Sequence, residues 1–225
     1  GIDIPETEAI LFDADFATIP ASAAALSGKN VVSCESFTCL YGWKSRPGPG
    51  QHQGEEKLAD IKLLADALFA NGVNHIFWHG MPFSPEGKQQ RFYASVHVGP
   101  DASFAKELPA FNQYLADISK TMKEGKAYSD VAVLLPFEDC LMKGDLPEEM
   151  LKPSAFYHWE MQYVRFPEEL KGYHPLWVSN HFLKNACVEN GRLKVGESTF
   201  RSLYIDVKWL DFEALLNIHH LAKCG

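Results

Sequence analysis

No run of eighteen apolar residues occurs in this 225-residue chain, so the sequence offers no helix able to span a bilayer. An excess of basic residues is missing too. Twenty-one Lys and Arg face 29 Asp and Glu, a formal charge of −8, the wrong sign for a nucleic-acid partner. Cysteines are few and odd in number, at 34, 39, 140, 187 and 224, and no CxxC or Cys/His grouping has zinc spacing. At least one thiol stays unpaired in the monomer, and the cysteines read as small, buried apolar residues. Gly48, Gly50 and Gly54 have neither the GxGxxG spacing nor the Lys-Ser/Thr ending of a phosphate loop. Internal repeats and low-complexity tracts are absent. The chain opens on Gly1 rather than Met, so the lack of a leader segment carries no weight.

What is present is a globular composition, 46% hydrophobic, which excludes a mainly disordered chain and suits one large domain or two small ones. Asp3 to Asp15 is acidic and turn-rich, with no clear periodicity. Pro20 opens a helix that Ala21 to Leu26 continues and Gly28 ends in a left-handed cap. Asn30 to Cys34 reads as a short buried strand that delivers Glu35 at its C-terminal end. A Gly/Pro-rich loop follows, and Leu58, Ile61, Leu64, Ala65, Leu68 and Phe69 then mark one helix face. Asn71-Gly72 stops that helix before a strand over Asn74 to His79, which completes a βαβ unit. A helix over about Pro109 to Glu124 and an apolar strand over Val131 to Leu135 come next. Further on, helices are expected over Tyr157 to Arg165 and Trp177 to Cys187, with a turn at Asn190-Gly191 and a buried strand over Ser202 to Ile205. The last helix has an apolar face of Phe212, Leu215, Leu216 and His219.

Glu35 is the sharpest position for chemistry. A carboxylate beyond a buried parallel strand, before a long loop, stands where α/β barrels place catalytic groups. Trp78 and His79, ending the next strand, face the same rim, and Trp43, Arg46 and His52 lie on the loop after Glu35. Aromatic faces, carboxylates and imidazole together suit a sugar. The alternative stays open that Glu35 caps a loop and His79 is a satisfied core histidine.

Several ordered motifs resemble one family. Ser22 to Thr38 resembles the small-residue helix, Gly-Lys turn and S-x-E-x-F-T strand end of α-L-rhamnosidase-type glycoside hydrolases. Ala67 to Phe83 resembles that group's GVN-x-x-x-x-HG passage, and Asp130 to Pro136 its DVAVL-x-P strand. The resemblance implies the last βα units of a TIM-type barrel over residues 1–127. A partial flavodoxin-like (amidotransferase-like) parallel-sheet domain would follow over 128–225, with no catalysis implied there. Glu35 would be an active-site carboxylate, serving as base, as another acid/base group or as a calcium ligand. Trp78 and His79 would touch the sugar; Trp43, from its place on the loop, would border a sugar subsite, with a plain surface loop as the alternative. A periplasmic or secreted location follows from the same likeness. The competing readings are a β-galactosidase-like hydrolase and a non-catalytic α/β carbohydrate-binding module.

One mismatch stands out. Barrel closure needs eight strands, and only two barrel-type strands are legible before residue 128. Glycoside hydrolysis also needs two carboxylates flanking the bond. Asp13, Asp15 and Glu55 end no strand. The proton donor is therefore expected outside this chain, which reads as a C-terminal slice of an enzyme with little or no activity alone.

Overall fold

The structure, a computed structural model, describes residues 2–9, 14–41, 52, 55–80, 98, 100, 102–142 and 165–225. The chain divides into two units: Gly1–Pro20 with Val31–Gly125, and Ala21–Asn30 with Lys126–Gly225.

The first unit is built on β1 (Glu6–Ala9), β2 (Ser33–Ser36) and β3 (His75–Trp78), hydrogen-bonded in that order and all parallel. Helix α2 (Leu58–Ala70) makes the crossover from β2 to β3 and buries Ile61, Leu64, Ala65, Leu68 and Phe69, the stripe read from the sequence. Asn71-Gly72 stops it as expected. Gly72 takes φ 96°. Its N–H reaches Phe69 O at 3.0 Å and the Val73 N–H reaches Leu68 O at 3.1 Å, a paired cap for the last carbonyls. Helix α3 (Leu108–Glu124) starts on a proline turn and buries Phe111 and Leu115. Fully burying Leu64 or Leu68 stabilises the unit by about 2 kcal/mol each.

Two readings of this unit need correction. The acidic stretch from Asp3 contains a third strand, β1, whose sequence Glu-Thr-Glu-Ala carries no apolar alternation to announce it. Strand β2 also starts three residues later than expected, which puts Glu35 inside the strand instead of beyond it.

The second unit takes Ala21–Leu26 of helix α1 (Thr18–Leu26). That helix begins two residues before Pro20, within the first turn, where a missing N–H costs nothing. It ends at Gly28 in the left-handed conformation, φ 67°, as the sequence indicated. Strand β4 (Val131–Leu134) is buried at every position and lies between β5 (Leu176–Val178) and β9 (Ser202–Tyr204), both parallel to it. A short helix α4 (Phe137–Met142) follows β4. Strands β6 (Cys187–Glu189), β7 (Arg192–Val195) and β8 (Ser198–Phe200) form a separate antiparallel sheet. Asn190 and Gly191, at φ 53° and 69°, make its first turn, the primed geometry that matches strand twist. Leu26, Leu134, Val178, Val195, Phe200 and Leu221 share one core cluster.

Here too three expectations give way. Trp177 to Cys187 is no helix. Leu176-Trp177-Val178 pairs with Ala132–Leu134, and only Asn180–Leu183 (α5) is helical before β6. The bulky, β-favouring side chains on a fully buried strand outweigh the helical spacing. The final helix α6 (Phe212–Cys224) forms, but it buries Ala214 and Leu221 and leaves Phe212, Leu215 and Leu216 exposed. Ala214 is small enough to bring the helix close on that side. Strand β9 is exposed to half-buried, not buried, and stops at Tyr204. The helix expected from Tyr157 falls outside the described residues up to 164.

Candidate active site

Parallel pairing places residues of one register on one face. Glu8, Glu35 and Phe77 are register partners across β1, β2 and β3, as are Glu6, Ser33 and His75 one step earlier. Adjacent strands lie about 4.8 Å apart, so the two carboxylates rise side by side from the sheet. Alternation sends Cys34, Ser36, Ile76 and Trp78 to the opposite face.

His79 follows β3 directly. Its backbone N–H is held by Ser36 O at 3.1 Å, and its Nε2 lies 3.7 Å from Glu35 Oε1. The imidazole is 11% exposed and the Glu35 side chain 42% exposed, so the pair offers a buried ring and a reachable carboxylate. Glu8, the more exposed neighbour, is held above the usual carboxylate range. Partial loss of water is the main cause, the Glu35 charge adds to it, and His79 works against it.

The turn after β2 is unusual. Phe37 has φ 70° although it is not glycine, a conformation costing about 1–3 kcal/mol. Its fully buried ring, 4.7 Å from that of Trp78, offsets the strain. This kink redirects the chain immediately beyond Glu35. Cys34, next to Glu35, is fully buried, and burial pushes its thiol up to about 11, so it is an inert neighbour and not a nucleophile.

The structure brings two of the sequence-derived site residues together, Glu35 and His79. Trp78 is turned to the helical side. Its ring packs near Phe104 and Phe111, and its Nε1 donates to Asn112 Oδ1 at 3.0 Å. Trp43 and Arg46 lie outside the described residues, and His52 meets Glu55 at 3.1 Å. Sequence reasoning missed Glu8 and Phe77. Phe77 is 47% exposed and is the aromatic side chain in register with Glu35. The strand's period of two, applied with Glu35 as the reference, would have found Phe77; Glu8 had no such signal.

A divalent metal needs a convergent set of oxygen or nitrogen ligands. Among the described residues no group of three or more His, Cys, Asp or Glu could hold one.

The sequence matches no family model. It is 25% identical over 211 residues to a protein of Formosa agariphila named "Putative beta-glucuronidase", covering 91% of this chain and 16% of that protein. Its fold resembles part of a solved rhamnosidase from Novosphingobium sp. PP1Y, with a TM-score of 0.60 and 16% identity over 97% of this chain and 20% of that one. The chain therefore spans about a sixth of the length of its curated relative. It shares a mixed α/β fold with parallel sheets with part of a glycoside hydrolase.

Proposed function

We propose that this chain carries part of the sugar-cleaving site of a glycoside hydrolase, with the first unit supplying late βα elements of a barrel. The observation that carries the proposal is the Glu35–His79 contact beside Glu8, on neighbouring parallel strands at the end where α/β barrels do their chemistry. The second unit is a flavodoxin-like accessory domain. Its strand order β5-β4-β9, first strand in the middle, supports that reading, since flavodoxin-like sheets begin in that order. A polymer-degrading role would place the enzyme in the periplasm or outside the cell.

The acidic face favours a neutral sugar. Glu6 and Glu35 would repel the carboxylate of a uronic acid on this side of the site, so a rhamnoside is the better candidate than a glucuronide. The 225-residue chain alone is expected to turn over neither. The test is Glu35→Gln in the full-length protein, assayed on aryl rhamnosides and aryl glucuronides. Loss of at least 100-fold in kcat on the rhamnoside supports the site, while wild-type turnover of both substrates by E35Q would remove it.

A further inference from the structure

The sequence alone points to a proton donor lying elsewhere. The third strand changes that. We infer that Glu8 is the proton donor of the Glu35 site, a role that rests on reading that site as glycosidic.

Three observations converge on Glu8. It is the register partner of Glu35, so its carboxyl stands one strand away on the same face. It is exposed, the third of the four residues of β1, and so reachable by a bound substrate, whereas the next residue, Ala9, is buried. It also feels both Glu35 and His79: partial loss of water holds its carboxyl above the ordinary value, the Glu35 charge adds to this, and His79 and a hydrogen bond with Thr38 work against it. The other local carboxylate, Glu6, is committed: it accepts the Ser33 hydroxyl at 2.5 Å.

The chemistry balances without any further reactant. The bond between the anomeric carbon and the glycosidic oxygen breaks, and its electron pair goes to that oxygen. The oxygen takes the proton of Glu8 and departs as a neutral alcohol. Water's oxygen bonds to the anomeric carbon, and the proton it releases restores Glu8. Glu35 supplies negative charge opposite the positive charge that develops on the sugar ring.

A proton donor matters only when the leaving group needs a proton. In the full-length protein, Glu8→Gln should lower kcat at least 100-fold on an alkyl rhamnoside and only a few-fold on a dinitrophenyl rhamnoside, whose departing oxygen is stable unprotonated. Equal losses on both substrates would overturn the role and leave Glu8 a positioning residue. No loss on either would overturn it as well. If Glu8→Gln does not fold, Glu8→Asp, which withdraws the carboxyl by one methylene, reads the same ratio. Glu35→Gln, run in parallel, should lose activity on both substrates alike. A fully active E35Q would count against the site itself, while the leaving-group ratio of the Glu8 variant would still judge Glu8.

Discussion

The two parallel sheets of this chain solve the same packing problem in different ways. In the second unit β4 and β5 are buried at every position, and Ala132, Leu134, Leu176 and Val178 join one core cluster. In the first unit β1 and β3 alternate, and the face bearing Glu8, Glu35 and Phe77 exposes polar and aromatic groups. A parallel sheet is ordinarily covered on both faces. Strands β4 and β5 are buried on both faces, and the first unit's sheet leaves carboxylates exposed on one. On the function proposed above, stability and chemistry would be divided between the units.

That division can be attacked most forcefully at Gly196. Its φ is 55°, and a Cβ there would stand 2.0 Å from Leu26 O, the carbonyl that accepts the Glu197 N–H at 2.9 Å. Gly196→Ala is expected to destabilise the second unit by about 4 kcal/mol in chemical denaturation, through positive-φ strain and a backbone clash. Amide protection of β2 and β3 should fall less than that of β4 and β5. Equal losses in both units would show that the scaffold and the site do not unfold separately.

Trp78 offers a smaller lever on the same contrast. Because its ring lies on the helical side and its Nε1 is spent on Asn112, Trp78→Phe should cost about 1 kcal/mol of stability. KM for a rhamnoside in the full-length protein should change less than two-fold. A ten-fold rise in KM would return Trp78 to the sugar.

Acid should move the two units in opposite directions. Asp130 is held below the usual carboxylate range by hydrogen bonds from Tyr128 and Arg192, with Arg201 also near. Its contribution is present above the ordinary aspartate value and is lost as pH falls through its lowered one. Glu8, held high, favours the fold below the ordinary glutamate value, and that contribution is lost as pH rises through its raised one. Amide exchange followed from pH 7 towards pH 3 should show protection falling around β4 and rising around β1. A parallel decline in both would contradict the assignment of either carboxylate.

The smallest effect concerns the thiols. Cys34 and Cys39 are buried, and Cys140, Cys187 and Cys224 are exposed. A maleimide should label three sites on the native chain and five after denaturation, counted by mass. Labelling of Cys34 in the native state would mean that β2 opens.

How legible each unit was follows from the same contrast. Strand β4 announced itself because a run such as Val-Ala-Val-Leu has only one comfortable place, inside. Helices α2 and α3 were legible from spacing, since their apolar stripes are long enough to outweigh single residues. Glu35 stood out because it follows the apolar stretch Val31 to Cys34, and His79 because it follows β3 directly. Glu8 did not, because Glu-Thr-Glu-Ala gains its strand character from pairing with β2 and not from its own side chains. The misread helix at Trp177 failed for the opposite reason: helical spacing was visible, but partners distant in sequence claimed the segment. In α6 two stripes competed, and the smaller residues won the core.

The helix between β1 and β2 has a consequence for how this molecule could be inherited or taken apart. Its residues from Ala21 onward belong to the unit that otherwise starts at Lys126; Leu26 sits in that unit's core and the Ser22 hydroxyl accepts the Trp177 N–H at 2.9 Å. A cut at residue 126 would not release the second unit but would leave it without part of its own interior. The two units are interleaved along the chain, so neither can be exchanged by recombination at a single crossover point.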